Sequence, residues 1–593
     1  MATISRRAHA QPAPWRAAAV ALALLLAGGG LVARLVFLQI VQHKGYSSEA
    51  AGEHLDQTTV PAHRGAILDA NGFPLAVSIA TYDIGVDRHI WQDAAAAQRG
   101  AQALAPLLNR TPEQILSLLG DATTGPATIA QDVDYDTGRR IAALGLPGVL
   151  AQPREKRVNP EGDLASPLLG FVGRDGGGLT GLELDENSLL TGLPGSSEYE
   201  RDALGNPIAA GVRKSVAPQP GSDVELTIDR NIQQMCEQEL KAGIDKTHAT
   251  GGTCIVMDPN TGAILAMDDE PSFKLSTLDL SADPQGEGFK DGAVTDIYEP
   301  GSVFKLFTMS AGIDSGKVNP NTTYIDTCQV VVSQRIFHNW DYSCNGPTTM
   351  TTVLVRSLNL GTLWLTTKVL GPDLFYQYVR AFGFGEPTGS GLSGDASGIV
   401  RSNADTAWSL ADLASNSFGQ GISVSALQMI TGVAAIVNGG NLMQPYVVKD
   451  VRSNGTTRVT QPTVRRRVIS SESAATIRDM MKLVLQANTF APVPGYTAGG
   501  KSGTAYVPTV KTKTSAGDAY AQEVTIPSYI GFAPFDHPRV LIYVKLDNLK
   551  SADFGGVLTA PMFSHLASEI LTYLDVPPDR PLPAATETNA AGR

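Results

Sequence analysis

A proline and a glycine set directly before an apolar run mark a helix start, and in this chain that start carries a reactive pair. The segment is Glu299-Pro300-Gly301-Ser302-Val303-Phe304-Lys305, followed by Leu306-Phe307-Thr308-Met309, and it holds the only Ser-x-x-Lys of the sequence. Positions three apart on a helix are neighbours, so the spacing puts the Ser302 hydroxyl and the Lys305 amine face to face. A serine hydroxyl is a weak nucleophile at neutral pH. A lysine kept neutral in a partly dry, electropositive pocket takes its proton as the bond to a carbonyl forms. Taken alone, the same spacing also describes a solvated pair on a helix surface.

Two further motifs follow in order. Ser357-Leu358-Asn359 ends a helix-like stretch from Met350 to Ser357, and Lys501-Ser502-Gly503-Thr504 follows Gly499-Gly500 and leads into the strand-like Ala505-Tyr506-Val507. Ser343-Cys344-Asn345 also fits the middle pattern, but it sits in a polar, turn-like segment, so Ser357 is preferred. With these three motifs the chain resembles the penicillin-binding protein and serine β-lactamase superfamily, whose signature is Ser-x-x-Lys, Ser-x-Asn and Lys-Thr/Ser-Gly.

The N-terminus predicts a membrane anchor. Met1 to Arg16 holds Arg6, Arg7 and Arg16 with no acid, and Ala17 to Ala33 is uncharged. At about 1.5 Å per residue the run is short for a span, and it suffices if Arg34 snorkels and Leu35 to Val41 extends the helix. The basic tail stays in the cytoplasm, which leaves the remainder outside. The competing reading, a cleaved signal peptide, lacks a small-x-small cleavage site after the apolar run. A net charge of −12 argues against nucleic acid as a partner. No zinc signature or phosphate loop appears, and nothing calls for a cofactor or metal.

The chain is too long for one core. We expect a cytoplasmic tail over 1–16, a transmembrane helix over 17–41, a pedestal over 42–220, a transpeptidase domain over 221–576 and a loose tail over 577–593. The pedestal is marked by Arg64-Gly65-Ala66-Ile67-Leu68-Asp69-Ala70-Asn71-Gly72-Phe73-Pro74-Leu75-Ala76, a strand, an Asn-Gly turn and a second strand. It resembles the opening motif of class B penicillin-binding proteins, with Ala70 where arginine is usual. Gly181-Leu182-Glu183, Leu193-Pro194-Gly195 and Arg201-Asp202-Ala203-Leu204-Gly205 match the same region, and Arg64 with Glu183 reads as a structural ion pair. A Pro/Gly linker, Val216 to Gly221, ends it. Beyond it, Asp229 caps a helix from Arg230 to Ala242, and Gly252 to Asp258 forms a hairpin with Ala263 to Met267. Helices are expected over Ala94 to Leu107 and Pro112 to Leu119, late strands at Gly531 to Pro534 and Val540 to Leu546, and a last helix from Pro561. The resemblance implies an α+β fold class: an antiparallel sheet with flanking helices, the penicillin-binding transpeptidase fold, preceded by a mixed pedestal and one transmembrane helix. Cys328 and Cys344 lie in a loop-rich segment of an exported domain, where a bridge and two free thiols are both open; Cys236 and Cys254 read as buried free thiols.

The resemblance implies a membrane-anchored D,D-transpeptidase. Ser302 attacks the carbonyl between two D-alanines of a peptidoglycan stem peptide and Lys305 takes its proton. Ser357 and Lys501 relay a proton to the departing amine, and the backbone N–H groups of Ser302 and Thr504 form the oxyanion hole. Lys501, Ser502, Gly503 and Thr504 receive the terminal carboxylate, and Asn359 binds the peptide amide. It further implies β-lactams as ligands and, as partners, a polytopic membrane glycosyltransferase of the shape, elongation, division and sporulation group with other divisome proteins. Tyr298-Glu299-Pro300-Gly301-Ser302 is similar to the division branch, with the elongation branch as alternative. A β-lactamase or β-lactam sensor and a non-catalytic scaffold are the remaining classes.

Overall fold

The computed structural model describes residues 14–46, 55–200, 208, 213–281, 283, 286–508, 520–550 and 555–581. Residues 1–13 of the expected tail, the Arg201–Gly205 marker and residues 582–593 lie outside them. The chain divides into two compact units, Met1–Ala62 with Leu193–Gln219, and His63–Gly192 with Pro220–Arg593.

In the first unit, helix α1 spans Pro14–Val36 and continues as a π turn over Phe37–Val41. The stretch Trp15–Val41 has a mean hydropathy of 2.2, is nowhere buried, and is long and apolar enough to cross a membrane. Arg34 lies over the Phe37 ring near its end. Three antiparallel strands complete the unit: Leu55–Val60 pairs with Gly195–Glu200, which pairs with Arg213–Val216.

In the second unit, β1 (Ile67–Leu68) turns into β2 (Pro74–Asp87). Asp69 fixes the turn, its Oδ1 accepting the N–H groups of Asn71 and Phe73 at 2.9 and 2.8 Å. Strand β2 pairs with Pro126–Asp134 and Val149–Val158. Over this sheet Ala94–Leu108, capped by Asp93, and Pro112–Ser117, with a Thr111–Gln114 capping box, close a small core around Trp91, Leu104, Ile115 and Ile129. Arg64 does pair with Glu183, at 2.7 Å, and Arg157 meets the same buried carboxylate at 2.6 Å. Burial lowers the Arg157 pKa, opposed by the Glu183 charge. Strand β3 (Asp223–Leu226) pairs in parallel with β1, so the mixed sheet joins the pedestal marker to the rest of this unit.

Asp229 caps α2 (Arg230–Thr247) through the N–H groups of Asn231 and Ile232, and the helix runs past the expected Ala242 to a left-handed His248. Then come β4 (Gly251–Met257) and β5 (Ile264–Glu270), the expected hairpin, and α3 (Lys305–Asp314). Strands β6 (Gln329–Val332) and β7 (Arg335–His338) form a second hairpin, ahead of α4 (Met350–Val355). Helices α5 (Ala426–Val437) and α6 (Ser471–Ala487) precede the closing strands β8 (Gly499–Pro508), β9 (Tyr520–Ala533) and β10 (Val540–Asp547), and α7 (Ala560–Tyr573) ends the domain. The main sheet is antiparallel in the order β5-β4-β10-β9-β8. Helices α2 and α7 cover one face, while α5 and α6 lie on the other. With both faces covered, β4 is buried throughout rather than alternating, its one polar side chain, Thr253, donating to Asp269. Cys328 and Cys344 are bridged; Cys236 and Cys254 are free and buried.

Candidate active site

Helix α3 is buried from Lys305 to Gly312 and so enters the core with apolar residues on every side. Phe304 and Phe307 anchor its start against Phe382 and Phe384, with ring centroids 4.7 to 5.2 Å apart. The turn before it, Gly301–Phe304, is a 3₁₀ helix rather than the first turn of an α-helix. In that geometry residues i and i+3 eclipse, so Ser302 and Lys305 still share one side. Gly301 has φ +59°, and a Cβ there would sit 2.6 Å from the Thr504 carbonyl oxygen. Only glycine lets this turn lie directly on β8.

The edge strand β8 brings in the third motif. Alternation puts Lys501 and Gly503 on one side and Ser502 and Thr504 on the other. Ser502, Gly503 and Thr504 line a cleft of about 580 Å³ together with Ser302, Ser357 and Asn359. Lys501 is 1% exposed and stands behind this lining. Its Nζ donates to Ser357 Oγ at 3.0 Å and to the Ser502 carbonyl at 2.8 Å.

Lys305 is wholly buried. Its Nζ donates to the Ser357 carbonyl at 2.6 Å and to Asn359 Oδ1 at 2.7 Å, with Ser357 Oγ at 3.3 Å. The middle motif at Lys305 is therefore Ser357-Leu358-Asn359; Asn345 Nδ2 donates instead to Ser343 Oγ and to Asp326 Oδ2. Burial pushes the Lys305 amine well below its usual range, helped by the neighbouring Lys501 charge. Burial alone brings Lys501 down to about 7. A neutral amine has two protons and one lone pair. With the two shortest contacts of Lys305 taken by carbonyl oxygens, the lone pair is left for a hydroxyl. Among the described residues the half-buried Ser302 hydroxyl makes no hydrogen bond.

Ser357 is held in an unusual backbone state. Leu358 N–H donates to the Val353 carbonyl at 2.9 Å and Ser357 N–H to Leu354 at 3.3 Å, the paired bonds of a Schellman motif closing α4. Ser357 fills the left-handed position of that motif, φ +56°, where glycine is the usual residue. This turns its carbonyl onto Lys305 and leaves its hydroxyl between two amines. Glycine relieves the strain and alanine keeps it, so Ser357→Gly is expected to be more stable than Ser357→Ala by about 1 kcal/mol, while both lose acylation. Thermal unfolding of the two variants checks this, and equal stabilities would contradict it.

Asn359 was expected to bind substrate. Its Oδ1 holds Lys305 and its Nδ2 donates to the His338 carbonyl at 3.1 Å, leaving one N–H for the cleft it lines. Trp340, Arg356, Phe418, Gln420, Phe490 and Tyr506 complete the walls and were not singled out as site residues in the sequence. Arg356 and Tyr506 adjoin the second and third motifs, while Trp340, Phe418, Gln420 and Phe490 come from segments farther away in sequence, and no motif spacing marks any of them. Among the described residues no group of three or more acids, cysteines or histidines is arranged to hold a metal.

The chain matches the penicillin binding protein transpeptidase domain over residues 252–568 and the penicillin-binding protein dimerisation domain over residues 59–226. It is 32% identical to Stage V sporulation protein D of Bacillus subtilis (strain 168), covering 92% of this chain and 85% of that one. Peptidoglycan D,D-transpeptidase FtsI of Escherichia coli (strain K12) is 29% identical, over 96% of this chain and 94% of that one. The crystal structure of penicillin binding protein 3 from the tuberculosis mycobacterium, complexed with aztreonam, superposes with a TM-score of 0.66 at 27% identity, covering 88% of this chain and 99% of that one. Two family domains in this order, with the three motifs gathered in one cleft, place the chain among the class B penicillin-binding proteins.

Proposed function

We propose that the protein is a peptidoglycan D,D-transpeptidase acting through an ester on Ser302. The observation that carries this is the buried Lys305 amine, stripped of water and pinned by Ser357 and Asn359 with a lone pair to offer. Ser302 Oγ attacks the carbonyl carbon between the two D-alanines of a stem peptide as Lys305 accepts its proton. The oxyanion lies between the N–H groups of Ser302 and Thr504, the first near a helix start and the second on the sheet's edge strand. The terminal carboxylate meets the Ser502 and Thr504 hydroxyls, with Lys501 one layer behind. Asn359 donates its remaining N–H to the peptide. Ser357 passes a proton from the two lysines to the departing D-alanine amine. An amine of a second strand then attacks the ester, releasing Ser302 and leaving a cross-link.

The same cleft accepts a β-lactam, as its aztreonam-bound relative does. Incubation of the full chain with a fluorescent penicillin, followed by denaturing gel analysis, tests the reading. A stable label supports a transpeptidase, whereas steady turnover marks a lactamase and absence of label marks a scaffold.

The apolar helix supports a single-pass plasma-membrane anchor, with the basic tail in the cytoplasm and the catalytic domain outside. Septal wall synthesis is the branch we favour, from Tyr298-Glu299-Pro300-Gly301-Ser302 and the likeness to FtsI. A transpeptidase in this role works beside a polytopic membrane glycosyltransferase and other divisome proteins, the helix packing through Gly28, Gly29 and Gly30. Replacing residues 17–41 with an unrelated single-span anchor is expected to keep penicillin binding but reduce co-purification with that polymerase and impair septation. Normal division with unchanged co-purification would reduce the helix to a tether.

A further inference from the structure

We propose that the loop closed by the Cys328–Cys344 disulfide holds Ser357-Leu358-Asn359 in its reactive position, with Asn339 as the positioning residue, so that acylation of Ser302 depends on the oxidation state of that cysteine pair. The inference rests on the transpeptidase reading above.

Successive residues of the loop reach the motif. The His338 carbonyl accepts from Asn359 Nδ2 at 3.1 Å, and Asn339 Oδ1 accepts the Leu360 N–H at 3.1 Å. Trp340 Nε1 donates to the Arg356 carbonyl at 3.0 Å, and Asp341 accepts from the Arg356 guanidinium at 3.2 Å. These bonds bracket the strained Ser357 from both sides. A left-handed non-glycine residue persists only where its surroundings over-determine it. Asn359 in turn holds the base, its Oδ1 lying 2.7 Å from Lys305 Nζ. A continuous chain of contacts thus runs from the loop to the group that must take the proton.

The loop itself is fastened at its root. Asn339 is 1% exposed, and its Nδ2 donates to Asp326 Oδ2 at 2.8 Å and to the Ser343 carbonyl at 3.2 Å. Asp326 also accepts from Asn345 Nδ2 at 2.6 Å and from the Cys328 N–H at 3.2 Å, beside the disulfide, whose cysteines lie 16 positions apart. The hairpin that the bridge encloses packs on the core through one face only, Val330, Val332 and Phe337, while Val331 and Ile336 on the other are exposed. Without the bridge the loop regains the chain freedom that closure removes, and the contacts on residues 356 to 360 must order it unaided.

The test uses the full chain in detergent. An excess of a small dithiol reduces the bridge: the S–S bond breaks, two cysteine thiols form, and the dithiol closes to its own disulfide, two electrons and two protons passing to the protein. Mass analysis after alkylation confirms the thiols, Cys236 and Cys254 being counted in both states. Reduction is expected to lower the second-order rate of penicillin acylation by about tenfold to a hundredfold, and Cys328→Ser/Cys344→Ser and Asn339→Ala should do likewise. Loosening Asn359 also admits water to Lys305, so the acid limb of the pH–rate profile should move to higher pH, and reoxidation should restore both. An unchanged rate with both thiols shown free would overturn the proposal. So would a smaller labelled fraction with an unmoved acid limb, which marks the bridge as merely structural. If the oxidised chain takes no label, the transpeptidase reading itself fails.

Discussion

Lys305→Met will lower the rate of penicillin acylation by on the order of 10²–10⁴, the usual contribution of a positioned general base. Methionine fills a similar volume but leaves the Ser357 carbonyl and Asn359 Oδ1 without their donor, so thermal unfolding of the variant is measured beside the rate. The sign of the pH dependence follows from the burial of Lys305. Protonated Lys305 has no lone pair, so the rate rises with pH as the amine loses its proton. Burial and the Lys501 charge hold that step well below the ordinary lysine range, and Lys501 itself titrates at about 7. The wild-type profile should therefore reach its plateau far below the usual lysine value of about 10.4, and the acid limb should vanish in Lys305→Met. Acylation rates between roughly pH 5 and 10 decide the matter. A limb at the ordinary lysine value would show that Lys305 is not the base.

Ser302→Ala is expected to abolish the covalent adduct while leaving thermal stability within about 0.5 kcal/mol of wild type. The two halves of this expectation have one cause. The Ser302 hydroxyl borders the cleft and makes no hydrogen bond among the described residues, so its removal leaves no buried partner unsatisfied. Retained labelling in this variant would show that another group is acylated. A large loss of stability would show that the hydroxyl serves the fold instead.

What could be read in the sequence was what local spacing controls. Ser302 and Lys305 are three apart, and both helical geometries put them on one side. The Pro-Gly step before them marked the turn, and Gly301 proved to be the residue that brings it onto β8. Asp229 before an apolar-periodic stretch marked α2, and the runs Gly252 to Asp258 and Ala263 to Met267 marked the β4–β5 hairpin. Helix ends were less legible: α2 continues five residues beyond Ala242, because Ile244 and its neighbours still pack on the domain core. The residues that were missed depend on distant partners. Arg157 joins Arg64 at Glu183 from another strand, and nothing near it in sequence announces that contact. The left-handed backbone of Ser357 was hidden because a serine occupies a glycine position. Asn339 and Trp340 reach the motif across a disulfide-closed hairpin.

The most direct test is to locate the acyl group. The full chain should be incubated with benzylpenicillin, digested with trypsin and mapped by mass spectrometry. The whole mass of the drug should be added to one peptide, Asp291–Lys305, with fragmentation placing it on Ser302. An adduct on any other residue, or none on a folded chain, would contradict this assignment.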